Sequence, residues 1–79
     1  MLTAHYGPNA VRGLYRLPRG VAGEVTEAIK RLLTNPTPPD CQPVEGRTRT
    51  YRIYPADHSV EYEIVEEQGQ EYLAILDIA

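Results

Sequence analysis

The sequence has few of the residues on which several common kinds of site depend. It contains one cysteine, Cys41, and two histidines, His5 and His58. No intrachain disulfide can therefore form, and no Cys/His cluster has the spacing of metal ligands. A glycine-rich phosphate loop, a Gly-x-Ser-x-Gly elbow and a Ser/His/Asp pattern are also absent. We therefore expect neither a metal site nor a cofactor.

The chain also lacks any apolar run that approaches membrane-spanning length. Its first residues, Met1 to His5, do not show the basic-then-apolar pattern of a signal peptide. These features predict a cytoplasmic protein without a membrane contact. The 79 residues predict a single domain, residues 1–79. Because so short a chain buries a small share of its surface, we expect a partner that adds buried area, and a homodimer is one form this can take.

Charge is divided unevenly along the chain. Residues 1 to 34 carry five basic and two acidic side chains, a balance of +3, whereas residues 35 to 79 carry three arginines and nine carboxylates, a balance of −6. The acidic second half argues against a strong nonspecific grip on nucleic acid, because such binding comes from cations that displace counterions from phosphates.

Apolar and polar residues alternate through most of the second half. Three segments, 50–54, 59–65 and 71–76, are separated by only a few residues, and in the first two the apolar positions recur with a period of two. Strands joined by such short turns pair antiparallel, so the pattern predicts a three-stranded meander.

The first half predicts helices. Residues 2–6 form a short candidate edge strand, and Pro8 suits the first turn of a short helix whose apolar residues lie at 10, 11, 14 and 17. Gly13 lowers the propensity of that helix. A second helix follows the Pro18 corner, with an apolar stripe from Val21 to Leu33, and ends at Asn35-Pro36. Residues 37–46 predict a connecting loop.

The order of these elements predicts an α+β fold. An N-terminal helical hairpin packs on one face of an antiparallel sheet, in the order β-α-α-β-β-β. Nothing else in the chain is available to cover the second face. The last strand is apolar at both parities, at 73 and 75 and also at 72, 74 and 76. We therefore infer that a partner segment or a second copy packs on the second face.

The same order and spacing resemble the RelE/ParE superfamily, the toxins of type II toxin-antitoxin pairs. The resemblance covers residues 2–79 and includes a second helix that ends in an Asn-Pro loop, followed by Tyr-Arg-Ile, Tyr-Glu-Ile and Tyr-Leu-Ala-Ile segments. It implies a cognate antitoxin as partner. It also implies one of two targets, because RelE-like toxins cut messenger RNA on the ribosome and ParE-like toxins poison DNA gyrase.

The resemblance further implies cations on the exposed sheet face, where RelE-like enzymes activate a ribose 2′-hydroxyl and stabilise the scissile phosphate. Arg52 matches one such basic position. Tyr54 and Ser59 stand where further basic residues are expected, and the chain ends Asp77-Ile78-Ala79 without another. The candidate catalytic residues are then Arg52 for phosphate charge and Tyr54 or His58 as the hydrogen-bonding group.

Arg47 and Arg49 are candidate RNA-binding residues, for positioning the backbone of the strand. The alternative is that Arg47, Arg49 and Arg52 form a solvated strand edge, with Arg52 paired to a glutamate of the neighbouring strand. For His58 the more common explanation is a polar turn residue.

Two functions follow. The first is a toxin-type protein that inhibits translation by ribosome-associated mRNA cleavage, or that binds with this activity weakened. The alternative is a non-catalytic interaction protein on the same scaffold, either directed at gyrase or with its toxic activity lost.

Overall fold

A computed structural model describes residues 1–79, and it confirms the predicted α+β class. The elements are β1 (Ala4–Tyr6), α1 (Pro8–Arg16), α2 (Arg19–Leu32), β2 (Gln42–Pro43), β3 (Thr50–Ile53), a 3-10 turn (Pro55–Asp57), β4 (Val60–Glu67) and β5 (Gln70–Ile78). Pro8 opens α1 and Pro18 separates the two helices, as the sequence predicted. Neither helix is long and apolar enough to span a membrane.

The five strands form one sheet in the order β1-β5-β4-β3-β2, and β3, β4 and β5 form the predicted antiparallel meander. Two details differ from the expectation. The sheet is mixed, because the edge strand β1 runs parallel to β5. The segment predicted as loop also contributes β2, whose two residues pair with β3. A strand this short has no periodicity to detect, and its pairing alone creates it.

The meander has two local irregularities. Gln68 and Gly69 both adopt positive φ, 52° and 78°, which suits the two-residue turn between β4 and β5. At the other end, Glu61 pairs with Asp77 but Tyr62 pairs with Ile75, so Leu76 is the extra residue of a β-bulge. The bulge bends β5 just where α1 packs on it.

The helices and one sheet face enclose a single apolar core. Its members are Ala10, Val25, Ala28, Ile29, Leu32, Ile53, Val60, Tyr62, Ile64, Leu73, Ile75 and Ile78. Tyr62 is fully buried, and its hydroxyl donates a 2.6 Å hydrogen bond to the carbonyl oxygen of Pro36. Burial raises the pKa of this phenol. The loop after α2 is thereby attached to the middle of the sheet.

Gly13 explains how α1 lies so close to β5. A methyl group built at this position would overlap the carbonyl oxygen of Ile78 and lie 2.9 Å from its carbonyl carbon. The residue that lowers helix propensity is therefore the one that allows the helix backbone to contact the strand. Val11, on the same helix, belongs to the apolar stripe expected from the sequence but is 37% exposed.

Candidate functional site

The sheet face away from the helices is called the open face here, and it carries the residues that the resemblance singled out. Arg52 on β3 lies opposite Glu61 on β4, and Ala74 on β5 lies between Glu63 on β4 and His5 on β1. No element of the chain covers these side chains. The open face is thus a mixture of charged residues near β3 and smaller or aromatic residues near β1.

Glu61 is the centre of the charged part. Its carboxylate accepts two hydrogen bonds from Arg52, at 3.1 Å from Nε and 3.0 Å from Nη2, and lies 3.9 Å from Nη1 of Arg47. The side chain of Glu61 is only 19% exposed, whereas those of Arg47 and Arg52 are 53% and 45% exposed. The hydrogen bonds that Arg52 donates to Glu61 raise the pKa of its guanidinium, with a smaller contribution from nearby Tyr54. The predicted pairing of Arg52 with a glutamate is confirmed.

Arg49 is neutralised in the same way. Its Nη2 lies 2.8 Å from Oε2 of Glu71, a bond that raises the pKa of the guanidinium. Arg49 has a positive φ of 53°, and its carbonyl oxygen accepts a hydrogen bond from the amide of Ile64. A non-glycine residue in this conformation needs support from its surroundings, which the ion pair and the backbone bond supply. All three arginines of the strand half therefore have carboxylate partners.

The remaining candidates lie in different places. Tyr54 is 51% exposed and stands at the end of β3, next to Arg52. His58 follows the 3-10 turn and lines a separate depression, together with Arg12 and Arg16 of α1. The structure thus groups Arg47, Arg52 and Tyr54, and it places His58 beside α1.

An apolar patch lies at the β1 side of the open face. The rings of His5 and Tyr72 are 4.5 Å apart between centroids and are tilted by 42°. Tyr72, Ala74 and Leu76 are each partly exposed. They alternate with the core residues Leu73 and Ile75, and no element of the chain covers them.

The cations without carboxylate partners lie on the helices. Arg12 and Arg16 of α1 and Arg19 and Arg31 of α2 have no acidic group within 4.0 Å of their nitrogens. The charge balance along the sequence indicates a positive helical half, but it does not reveal that the helix arginines are unpaired while the arginines of the strand half are ion-paired. The signal that could have found it is the i, i+4 spacing of Arg12 and Arg16 in a helix that contains no carboxylate.

Comparison with known proteins supports the fold assignment. No protein-family model and no curated protein matches this sequence. The chain is similar in structure to the intact RelBE toxin-antitoxin complex of E. coli, with 12% identity over 100% of this chain and 95% of the other, and a TM-score of 0.84. The isolated E. coli RelE toxin is 12% identical over 100% of this chain and 83% of its own, with a TM-score of 0.83.

The toxin-antitoxin complex RelBE2 from Mycobacterium tuberculosis is 22% identical, covers 98% of this chain and 94% of its own, and has a TM-score of 0.78. The structural similarity extends over the whole chain, so it shows that the protein has the fold of RelE toxins. The predicted arrangement of two helices on one face of the sheet is thereby confirmed.

Proposed function

We propose that this protein is the toxin-type component of a type II toxin-antitoxin pair, and that it inhibits translation by ribosome-associated mRNA cleavage or by binding with that activity weakened. The observation that carries the proposal is the RelE fold over the full length of the chain, found in isolated toxin and in toxin-antitoxin complexes. The protein acts in the cytoplasm, without a membrane contact.

In this proposal the catalytic work belongs to the open face. Arg52 offsets charge on the scissile phosphate, and Arg47 or Arg49 positions the RNA backbone. Tyr54 or His58 is the hydrogen-bonding group. His58 lies beside α1, so it contacts the same phosphate only when bound RNA brings that phosphate to it. Glu61 opposes this chemistry, because a phosphate must displace its carboxylate from Arg52. This competition is the physical basis for weakened cleavage.

The antitoxin is proposed to cover the apolar part of the open face. His5, Tyr72 and Ala74 form a patch that gains burial when a partner segment lies across β5. A segment that also extends across β4 to β3 shields Arg52 from RNA. Binding and neutralisation then follow from the same contact. A second copy of the chain is the competing occupant of this patch.

A specific observation favours a second candidate function, a non-catalytic interaction protein that is directed at DNA gyrase or has lost toxicity. Each arginine of the strand half has a glutamate carboxylate within 4.0 Å, and Arg47 and Arg52 share that of Glu61. An open face neutralised in this way is better suited to docking a protein than to stabilising a phosphate.

Induced expression in bacteria separates these functions. We expect growth arrest, reduced translation and cleaved message, with relief when the product of an adjacent short reading frame is co-expressed. Arg52→Ala is expected to reduce cleavage at least tenfold, whereas the control Arg31→Ala, on α2, leaves it unchanged.

Two other results would contradict the first proposal, and a third would contradict only the role given to Arg52. Growth arrest with intact message and damaged DNA points to gyrase. Harmless expression points to lost toxicity. Cleavage by Arg52→Ala at the parental rate removes the catalytic role of Arg52.

A further inference from the structure

We propose that the outer face of α1, formed by Val11, Arg12, Tyr15 and Arg16, binds single-stranded RNA. This inference deepens the proposed function, on which its choice of ligand rests, by adding an RNA contact on the helical side of the molecule to the one proposed for the open face. None of these four residues has a part in the proposed catalytic mechanism.

The first argument is the availability of charge. Arg12 and Arg16 have no carboxylate within 4.0 Å, whereas the arginines of the strand half are all ion-paired. Arg12 is hydrogen-bonded only to the neutral amide oxygen of Asn9, which orients the guanidinium without neutralising it. A phosphate can therefore bind these two side chains without displacing an acidic group.

The second argument is the position of an exposed aromatic ring. Tyr15 is 85% exposed, and its neighbours on the helix surface are Val11 at i−4 and Arg12 at i−3. Cations that hold a backbone beside a ring on which a base can stack are the combination that single-stranded nucleic acids use. Arg12 and Arg16 are separated by about 6 Å along the helix axis, which allows them to contact successive phosphates of one strand.

The third argument is the shape beside these residues. Arg12 and Arg16 form one wall of a depression of about 590 Å³, and His58 and Asp77 also line it. His58 can donate a hydrogen bond to a phosphate there. Asp77 makes no ion pair within 4.0 Å, so it lowers the positive potential without occupying either arginine. Replacing Asp77 with asparagine should therefore strengthen binding.

These features favour RNA over an acidic polypeptide. A bound peptide usually needs several apolar positions for its anchoring side chains, and the outer face of α1 offers only Val11 and Tyr15 beside its two arginines. An RNA strand requires only cations and a stacking surface. The expected affinity is modest, because few phosphates are contacted and the remainder of the chain is acidic.

Fluorescence anisotropy with the whole purified protein and labelled oligouridylate and oligoadenylate twelve-mers tests the proposal. The double variant R12Q/R16Q should weaken binding at least tenfold. It should also reduce the slope of log affinity against log salt by about 1.4, since each phosphate that is no longer neutralised lowers that slope by about 0.7. Tyr15→Ala should weaken binding about 5- to 150-fold. Tyr15→Phe should bind like the parent, since it keeps the ring that supplies the stacking surface. Asp77→Asn should tighten binding.

The matched control is Arg31→Gln, which removes an unpaired arginine from α2 and should change affinity less than twofold. Circular dichroism melts of every variant exclude unfolding as the cause of weaker binding. The proposal is overturned if the parent binds neither oligonucleotide, if R12Q/R16Q binds like the parent, or if Arg31→Gln weakens binding equally. Binding of polyglutamate in place of RNA would identify an acidic polypeptide as the occupant and overturn it too.

The growth assay distinguishes failure of the toxin proposal from failure of the inference that α1 binds RNA. A protein that arrests growth and is neutralised by its partner, but whose RNA affinity does not depend on α1, contradicts only the inference about α1. A protein that binds RNA through α1 without arresting growth contradicts only the toxin proposal.

Discussion

Exchanging glycine for alanine at two helical positions should change stability in opposite directions. Gly13 on α1 and Gly23 on α2 both lie inside helices, where alanine is favoured over glycine by about 1 kcal/mol. At Gly23 the added methyl group meets nothing within 4 Å. At Gly13 it meets the carbonyl group of Ile78, which belongs to β5 and is backbone. Sequence-based propensity alone predicts that both variants are stabilised.

The strand cannot easily move away from α1. Ile78 pairs with Val60, and just beyond it the backbones of Ser59 and Ala79 exchange hydrogen bonds of 3.0 and 2.9 Å. Overpacking against such a fixed group costs about 3 kcal/mol. After the gain of about 1 kcal/mol in helix propensity, Gly13→Ala should lose about 2 kcal/mol. For a domain of this size that change corresponds to a melting temperature lower by about 8 to 16 °C.

Urea denaturation followed by far-UV circular dichroism measures both variants. Gly23→Ala should raise the free energy of unfolding by about 0.5 to 1 kcal/mol, and Gly13→Ala should lower it. If both variants are stabilised alike, the backbone of α1 does not approach the carbonyl of Ile78, and the placement of the outer face of α1 is wrong.

Three further outcomes test other parts of the structure. Burial raises the folded-state pKa of Tyr62 above the unfolded value of about 10, so the contribution of Tyr62 to the free energy of unfolding should be constant below about pH 10 and fall above it. Tyr62→Phe should weaken that fall while costing about 1 to 3 kcal/mol at pH 7, because the hydrogen bond to Pro36 is removed. Ile75→Ala should lose about 2 to 5 kcal/mol in urea denaturation, and Leu76→Ala at the bulge should lose less. Glu61→Gln should increase message cleavage severalfold by releasing its two arginines, and unchanged cleavage mapped by primer extension would contradict the competition between Glu61 and phosphate.

Much of the candidate site could be anticipated from residue order. The alternation in residues 50–54 and 59–65 put Arg52 and Glu61 on one face, and their ion pair follows from that register. The second ion pair of Glu61, with Arg47, could not be anticipated, because Arg47 lies outside any strand. The position of His58 beside α1 also depends on how the 3-10 turn folds back, which local pattern does not encode.

The amino-acid sequence by itself determined the elements with strong periodicity. The spacing of apolar residues set α2 and the three strands of the meander, and the prolines set the helix boundaries, because these signals act through neighbouring residues. The uncovered second face also followed from counting elements.

Only the tertiary structure decided the features that depend on residues distant in the chain. β1 runs parallel to β5, β2 exists through its pairing with β3, and Gly13 is required by the carbonyl of Ile78. The division between neutralised sheet arginines and unpaired helix arginines belongs to the same class. Charge pairing depends on distances across strands, and the sequence records only the separation along the chain.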